Sequence, residues 1–391
     1  MELRYGMNPH QAARVLDPVP FRVLGGAPSY INVLDALNGW QLVREAAAAT
    51  GRAAAASFKH VSPAGVAVAG PLDDTALGTW RVGADAGPLT AAYVRARDAD
   101  PKSSFGDMVA VSAPVDAELA EFLAAVVSDG IIAPGFEPGT VAVLAAKKRG
   151  TFLLLEADPA YQPADWEQRE VHGVTLAQQR DVAPLTGGLL TVAAAGPLLS
   201  GAPLPSGAPL PSGAVIDALL GLVAVRYTQS NSVALVRGGA TLAIGAGQQN
   251  RVDCVRLAAT KAATWWLRRH EVISGLPVVA GMPRQDRLNW QTRMAEADMT
   301  PDQLAEFGRL FPAVPAGLAA ADRSAWLGKL DEVTLVSDGY LPFRDNIDHA
   351  SRAGVRYVVE PGGSSRAADV EAACAEHGMT LIRTGQRLFH H

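Results

Sequence analysis

The pair Lys59-His60 has the residue types best suited to acid–base chemistry, because a histidine can accept a proton near neutral pH. A neighbouring ammonium group can stabilise an oxyanion or oppose protonation of the imidazole. The pair follows the small apolar run 53–58, which predicts a buried strand, and α/β folds collect reacting groups at the carboxyl ends of such strands. The pair is therefore either catalytic or a basic pair at the surface beside a strand.

Two arginines near the ends of the sequence could bind a phosphate. Arg4-Tyr5 combines a guanidinium with a phenol, and Arg387 lies shortly before the terminal histidines. Guanidinium groups pair with phosphate oxygens through charge-assisted hydrogen bonds. For each segment the alternative is a solvent-exposed chain end that binds nothing.

Two further segments could bind small ligands. Residues 227–232 concentrate hydroxyl and amide groups that suit a hard monovalent cation or a carboxamide, and an N-capping turn is the alternative. Gly245-Ala246-Gly247 precedes a predicted helix and could present backbone N–H groups to an anion. The third glycine of the dinucleotide-binding fingerprint is missing, which argues against a nicotinamide cofactor.

The composition is that of a globular protein. The 391 residues are 49% hydrophobic and 19% charged, and the length favours two lobes or one lobe with a large insertion. No apolar run reaches the roughly 18 residues that span a bilayer, and the start has no signal-peptide pattern, so we expect a cytoplasmic protein without membrane contact. A net charge of -5 argues against nucleic-acid binding. Cys254 and Cys374 are predicted to be core residues within helices.

The elements that must position these residues alternate between helix and strand, which predicts α/β lobes at 1–199 and 214–391. Between them, prolines in the repeated sequence Ser-Gly-Ala-Pro-Leu-Pro predict a linker at 200–213. In the first lobe we expect helices at 33–49 and 117–127, turn residues at 62–65, and strands at 53–59, 108–112, 130–133, 141–145 and 152–155.

The second lobe has clearer start and stop signals. Gly238-Gly239 predicts a hairpin turn, and Thr300-Pro301 predicts a helix start. The expected helices are 215–225, 251–269, 345–353 and 367–377, together with a helical insertion at 286–330. The expected strands are 232–236, 241–244, 333–336, 355–359 and 380–382.

Eight ordered motifs resemble the transformylase half of the bifunctional purine-biosynthesis family that joins aminoimidazole-carboxamide ribonucleotide (AICAR) transformylase to inosine monophosphate (IMP) cyclohydrolase. A resemblance through all eight is far more specific than any single motif. They are RYGMNPHQ (4–11), SFKHVSPAG (57–65), SSFGD (103–107), SDGIIAPG (128–135), RYTQSNSV (226–233), GAGQQNR (245–251), SDGYLPFRDN (337–346) and RLFHH (387–391).

The resemblance implies a fold and a reaction. The fold would be tandem cytidine deaminase-like, three-layer α/β/α lobes with a helical insertion, in a homodimer with active sites at the interface. The substrates would be AICAR and 10-formyltetrahydrofolate. Because the sequence begins at the transformylase, IMP cyclohydrolase activity is expected on a separate polypeptide.

The resemblance also implies roles for individual residues. It assigns catalysis to Lys59, His60 and Asn231, and nucleotide binding to Arg4, Tyr5, Phe105, Gly106, Asp129, Tyr340 and Arg387. It assigns folate contacts to Arg251, Val252, Pro342 and Phe343. A potassium-like structural site is implied at Val225, Thr228, Ser230, Ser232, Asp338, Leu388 and His390.

The implied chemistry suits these residues. The 5-amino group of AICAR is a poor nucleophile because its lone pair is delocalised, so it must be aligned and deprotonated during attack on the formyl carbon. His60 would take the proton, and Lys59 would stabilise the oxyanion and help to protonate N10 of tetrahydrofolate. No catalytic metal is expected, because the H-x-E and P-C-x-x-C motifs of zinc deaminases are absent.

Two alternatives remain open from the sequence. A formyltransferase for a related aminoimidazole nucleotide in a specialised pathway would keep the catalytic pair and the phosphate-binding arginines but alter the base pocket. A non-catalytic partner subunit of a separate IMP cyclohydrolase would be expected to lose Lys59 or His60, and both are present.

Overall fold

The computed structural model describes residues 1–16, 19–194 and 209–391 of the chain. The predicted linker 200–213 lies mostly outside these residues, although the following helix already begins at Ser212. The strands are β1 (Glu2–Leu3), β2 (Ala13–Arg14), β3 (Phe21–Gly25), β4 (Ala54–Lys59), β5 (Ser62–Val68), β6 (Asp107–Val111), β7 (Ser128–Ala133), β8 (Leu153–Ala157), β9 (Trp166–Val171), β10 (Val174–Gln179), β11 (Thr191–Ala194), β12 (Val233–Arg237), β13 (Ala240–Gly245), β14 (Val333–Ser337), β15 (Val355–Glu360) and β16 (Thr380–Arg383).

The α-helices surround these strands. They are α1 (Tyr30–Thr50), α2 (Asp74–Trp80), α3 (Pro88–Ala99), α4 (Ala117–Ala124), α5 (Thr140–Ala145), α6 (Ser212–Arg226), α7 (Arg251–Leu267), α8 (Glu271–Ser274), α9 (Arg284–Glu296), α10 (Pro301–Leu310), α11 (Ala320–Leu327), α12 (Asp345–Ser351) and α13 (Ala367–Glu376). The chain therefore has the mixed α/β fold that the sequence predicts.

Twelve strands form one mixed sheet in the order β11-β16-β15-β14-β12-β13-β5-β4-β6-β7-β8-β3. In one half, β4 is antiparallel to β5 and β6, and β6, β7 and β8 are parallel. In the other half, β12 is antiparallel to β13 and β14, and β14, β15 and β16 are parallel. The two halves repeat one topology and meet where β13 pairs with β5.

The edge strands complete this repeat. β3 pairs antiparallel with β8, and β11 pairs antiparallel with β16. All residues up to 199 are predicted to belong to the first lobe, whereas β11 extends the second half of the sheet. The division into lobes at 200–213 stays a prediction.

Helices cover both faces of the sheet. Helices α1 and α6 pack against each other on one face, and α3 and α7 pack on the other face. Apolar side chains from the strands and these helices form buried cores on both faces. Burying the two faces of the sheet in this way supplies the main stabilisation of such a fold.

The repeat is also visible in the sequence of α1 and α6. The segments VLDALNGWQLVR (33–44) and VIDALLGLVAVR (215–226) are identical at seven of twelve positions. The shared positions include an aspartate, Asp35 in α1 and Asp217 in α6, and both carboxyl groups are buried. The two helices therefore bring equivalent carboxylates to equivalent places.

Two predicted local structures are wrong. Residues 62–65 do not form a turn but begin β5, because the chain reverses earlier, and Pro63 pairs opposite Phe58 beside a register shift where a missing N–H is tolerated. The apolar run 141–145 is helix α5 rather than a strand, since periodicity cannot separate the two in so short a run.

Other local predictions are confirmed. Gly238-Gly239 turns the hairpin β12–β13. Thr300 caps α10 by accepting the backbone N–H of Gln303 at 3.3 Å. Cys254 and Cys374 are buried in helices, and burial raises the pKa of Cys254 to about 11. In the described residues, no helix combines the length and apolarity needed to cross a bilayer.

Candidate active site

His60 lies in the two-residue turn that joins β4 to β5, and its side chain is exposed. His60 and Val61 have φ angles of 54° and 62°, a left-handed conformation that is rare for a β-branched residue. In the equivalent turn of the other half, both residues are glycine, with φ angles of 60° and 79° at Gly238 and Gly239. A turn of this shape can therefore be made without backbone strain when both residues are glycine. Backbone strain that is kept at one of two equivalent turns is typical of functional sites.

Lys59 reaches from the end of β4 toward the loop before β6. Its Nζ donates a hydrogen bond to the carbonyl oxygen of Phe105. A Cβ atom on Gly106 would lie 3.6 Å from Lys59 Nζ and 3.7 Å from Oδ1 of Asp129. Asp129 also pairs with Lys148. We call this group of residues the hairpin site: Lys59, His60, Phe105, Gly106 and Asp129.

The strand register explains why these residues meet. Because β4 is antiparallel to β6, the carboxyl end of β4 lies beside the amino end of β6. Because β6 and β7 are parallel, their amino ends lie side by side. The hairpin site therefore gathers at one end of the sheet.

Asp35 was not singled out from the sequence, yet it holds the strained turn. This carboxyl group on α1 is 5% exposed, and its Oδ1 accepts the backbone N–H of Val61 at 2.6 Å. Burial raises its pKa to about 6, although the Val61 N–H and the nearby His60 oppose the rise. The signal that could have found it is its repetition as Asp217, which accepts the turn N–H groups of Gly238 and Gly239.

We expect Asp35→Asn to stabilise the protein increasingly as pH rises from 4 to 7. The pKa of Asp35 rises from 3.8 to about 6 on folding, so the folded state holds the proton more strongly and loses stability as pH rises through that window. Two pKa units correspond to about 3 kcal/mol, and the amide oxygen can still accept the Val61 N–H. Urea unfolding at pH 4, 5, 6 and 7 measures the difference.

The matched control is Asp298→Asn, because Asp298 is exposed. Its effect on the free energy of unfolding should stay within about 0.5 kcal/mol across this range. A stability difference between Asp35→Asn and the unmodified chain that does not change with pH would contradict the assignment.

A second polar cluster lies where β12 begins and β14 ends. Asp338 is fully buried, pairs with Arg251, and accepts the Ser230 hydroxyl at 2.6 Å and the Ser232 N–H at 2.9 Å. Arg251 Nη2 donates to Oδ1 of Asn231 at 2.8 Å. We call this group of residues the Asp338 network: Asn231, Ser230, Ser232, Arg251 and Asp338.

Arg251, which is predicted to face a folate, is 7% exposed. Its guanidinium contacts Asp338, the Ser232 carbonyl at 3.1 Å and Asn231. The Asn231 amide also donates to the Gln248 carbonyl at 2.9 Å. In these contacts Arg251 orients Asn231, and its contact with a folate stays a prediction.

The carboxyl-terminal tail is tied to the Asp338 network. Leu388 N–H donates to the Asp338 carbonyl at 2.8 Å. The His390 N–H donates to Ser230 Oγ at 3.0 Å, and the Ser230 N–H donates to the His390 carbonyl at 2.9 Å. The tail is therefore part of the fold and not a frayed end, and burial lowers the pKa of His390.

The two phosphate-binding candidates, Arg4 and Arg387, each lie close to an aromatic ring. The Arg4 guanidinium is 5.1 Å from the Tyr5 ring and 3.4 Å from Oδ1 of Asn32, in the first turn of α1 close to Asp35. The Arg387 guanidinium is 4.5 Å from the Phe389 ring. Neither arginine forms an ion pair within the described residues, so both guanidinium groups are open to a ligand.

Several residues that are predicted to contact a ligand have exposed aromatic rings. Phe105, Tyr340 and Phe343 are 42%, 48% and 49% exposed. Val252, which follows Arg251, and Pro342, which precedes Phe343, are partly buried. Rings left open at the end of a sheet can stack on a planar ligand.

Residues that neighbour the hairpin site and the Asp338 network in sequence contact each other. The Gln229 N–H donates to Ser62 Oγ at 3.4 Å, directly after the strained turn. Because β13 is antiparallel to β5, the end of β13 and the start of β12 lie at the same end of the sheet as this turn. No hydrogen bond joins Asn231 to Lys59 or His60 in the part of the chain that is described.

The oxygen atoms around Ser232 fit a hard monovalent cation better than a transition metal. Ser232 Oγ is buried and has no hydrogen-bond partner among the described residues. Thr228 Oγ1 bonds to the carbonyl of Ala224 at 2.6 Å, and the Thr228 N–H donates to the Val225 carbonyl. The part of the chain that the structure describes contains no cluster of three or more His, Cys, Asp or Glu side chains that could hold a metal ion.

An exposed imidazole in a strained turn, a neighbouring lysine and carboxylate, and open arginines and aromatic rings are typical of an α/β enzyme that binds a small anionic substrate. A family model described as the AICARFT/IMPCHase bienzyme matches residues 1–261, and the chain belongs to this family.

Individual relatives agree with this family. The chain is 30% identical over 398 residues to the bifunctional purine biosynthesis protein PurH of Ruegeria sp., and 30% identical over 400 residues to that of Magnetococcus marinus. The corresponding protein of Roseobacter denitrificans is 30% identical over 399 residues. Each match covers all of this chain but 59% of the relative, so the chain spans about three fifths of their length.

Proposed function

We propose that the chain transfers a formyl group from 10-formyltetrahydrofolate to the 5-amino group of AICAR, giving formyl-AICAR and tetrahydrofolate in IMP biosynthesis. The observation that carries this proposal is His60, an exposed imidazole kept in a strained turn beside Lys59 in a chain of this family. The names of the relatives support purine biosynthesis as the pathway. The proposal concerns the transformylase reaction alone.

The proposed reaction is a direct transfer. His60 accepts a proton from the 5-amino group of AICAR while the amino nitrogen forms a bond to the formyl carbon. Lys59 stabilises the oxygen that becomes negative in the tetrahedral intermediate. The bond from this carbon to N10 then breaks, and N10 takes up a proton. The hydrogen bond from Lys59 to the Phe105 carbonyl supports this role, because it fixes the ammonium group near the turn.

The remaining residues would bind the two substrates. Arg4, Tyr5 and Arg387 would bind the ribose phosphate, and Asn231, oriented by Arg251, would bind the carboxamide. Gly106 and Asp129 would shape the nucleotide pocket with the rings of Phe105 and Tyr340. Folate would contact Arg251, Val252, Pro342 and Phe343.

The strand order supports the finer fold assignment. Each half has an antiparallel hairpin followed by three parallel strands, with helices on both faces. We assign these halves as tandem cytidine deaminase-like lobes, with α9, α10 and α11 forming the predicted helical insertion.

A potassium ion fits the donor set near the tail. Val225, Thr228, Ser230, Ser232, Asp338, Leu388 and His390 would hold it, and the unpartnered Ser232 hydroxyl supports this. A bound potassium would supply positive charge beside Asp338. The chain itself orients Asn231 through Arg251 and ties the tail to Ser230.

A homodimer is supported by the hairpin β9–β10, which forms a separate two-stranded sheet. Its Val171, Val174 and Leu176, which the register places on one face, are 49%, 58% and 57% exposed, and Trp166 on the other face is 56% exposed. Apolar side chains exposed together on a hairpin usually contact another chain.

The direct test mixes purified protein with AICAR and 10-formyltetrahydrofolate and follows release of tetrahydrofolate. We expect formyl-AICAR and tetrahydrofolate to form in equal amounts. Absence of both products with 10-formyltetrahydrofolate as the donor would reject the proposal. The riboside without its phosphate serves as the control substrate, and it should bind more weakly.

Arg387→Ala should weaken AICAR binding about 10- to 100-fold, because a charge-assisted hydrogen bond to phosphate contributes roughly 1.5–3 kcal/mol. Arg4→Ala should weaken AICAR binding to a similar extent. Calorimetric titration with AICAR measures both, and Arg352→Ala, at an exposed arginine that follows α12, removes the same charge as a control. Unchanged affinity in both Arg4→Ala and Arg387→Ala would remove these residues from the phosphate site.

A further inference from the structure

A cavity of about 360 Å³ lies between α2 and the start of α9, outside every site described above. Three arginines line it: Arg81, Arg284 and Arg287. Small-molecule sites occupy roughly 300–1,000 Å³, so the cavity has room for more than one anionic group.

The three guanidinium groups share a lining with a single carboxylate, that of Asp74. Within the described residues, none of the three arginines forms an ion pair. The Nη1 atom of Arg284 is buried and has no hydrogen-bond partner there. Burial lowers the pKa of Arg284, and Arg81 lowers it further. Three like charges placed together favour binding of an anion that neutralises them.

The backbone positions these groups. Arg287 is fixed by hydrogen bonds to the carbonyls of Leu276 at 2.7 Å and Ser274 at 2.9 Å. Arg81 ends α2 with a left-handed φ of 56°, at a place where helices usually have glycine. Arg284 is the first residue of α9, a helix with no side-chain cap, so its amino end adds partial positive charge.

We propose that this cavity is a binding site for a small, multiply charged oxyanion carrying phosphate or carboxylate groups. Guanidinium groups bind phosphate and carboxylate groups alike through paired hydrogen bonds, so ligands of either kind would be bound in the same way. The site is separate from the proposed transformylase site, because none of its lining residues belongs to the hairpin site or the Asp338 network.

The test is calorimetric titration of the full chain with pyrophosphate and, separately, with citrate at matched ionic strength. We expect one site per chain for at least one of them, and the stronger ligand identifies the phosphate or the carboxylate source. Arg284→Gln and Arg81→Gln should each weaken binding at least about 10-fold. Arg309→Gln, an exposed arginine on α10 with the same loss of charge, should leave it within about twofold.

Thermal unfolding provides a second measurement that does not depend on turnover. The anion should raise the midpoint of the unmodified chain, and this rise should disappear in Arg284→Gln and Arg81→Gln. Without anion, both variants should unfold at the same or a higher temperature, since removing one of three like charges relieves repulsion. No binding by the unmodified chain, or equal weakening in Arg309→Gln, would overturn the proposal.

Discussion

His60→Gly is expected to lower turnover of AICAR by about 100-fold or more while leaving the fold intact or slightly more stable. Loss of a positioned general base typically costs about 10²–10⁴ in rate. Glycine adopts the left-handed conformation of residue 60 without strain, so the free energy of unfolding should stay the same or rise by up to about 1 kcal/mol. The gain is limited because glycine also increases the entropy of the unfolded chain.

This opposition between activity and stability follows from the repeated topology. The turn at 238–239 has the same two-residue form and the same left-handed angles, and it is made of glycine. Each turn also receives an aspartate from the helix before it, Asp35 in one half and Asp217 in the other. The first turn differs in carrying the side chains of His60 and Val61, and among the described residues the imidazole makes no hydrogen bond that glycine would lose.

The measurements are steady-state turnover, AICAR affinity and urea unfolding of His60→Gly. Ala297→Gly is the matched control, because Ala297 is also exposed and has a left-handed φ of 59°. It should show the same relief of backbone strain with unchanged turnover. If His60→Gly retains near-normal turnover, or if both variants lose it equally, His60 is not the base.

The sequence predicted the elements whose signals are local. Gly238-Gly239 is a strong hairpin signal because both turn residues need a positive φ, and Thr300-Pro301 combines an N-cap with a preferred first helical residue. The strands 333–336, 355–359 and 380–382 are rich in β-branched and apolar residues, which favour strands. All of these elements are present in the structure.

The elements that were missed depend on contacts distant in sequence. Nothing in His60-Val61 itself favours a turn, and the turn depends on Asp35, whose buried carboxylate accepts the Val61 N–H. Pro63 is typical of a strand break, yet it is placed at a register shift inside the sheet. The pairing of β11 with β16 cannot be derived from four residues of β11 alone.

The candidate site was predicted as separate motifs, and the geometry that joins them was not. Lys59, Phe105 and Asp129 meet because strands from different parts of the sequence end together. Arg251 illustrates the opposite case. Its position after Gly245-Ala246-Gly247 favours a ligand contact, whereas the fully buried Asp338, 87 residues later, pairs with its charge.

Asp338→Asn is expected to destabilise the protein by about 3–5 kcal/mol, the range for breaking a buried ion pair by changing one partner. Asp338 is fully buried, and both carboxylate oxygens accept hydrogen bonds, one from Arg251 and the other from Ser230 and Ser232. An amide must present its NH₂ to one of these donors. Arg251 would then remain charged and buried without its partner.

Urea unfolding of the full chain measures this loss, and Asp331→Asn is the control because Asp331 pairs with Arg356 at 2.6 Å near the surface. That exposed pair should contribute less than about 1 kcal/mol. Replacing Arg251 by Met in the Asp338→Asn background should recover part of the stability, since the unpaired charge is then removed. Equal losses in Asp338→Asn and Asp331→Asn would mean that the Asp338 network does not stabilise the loop holding Asn231.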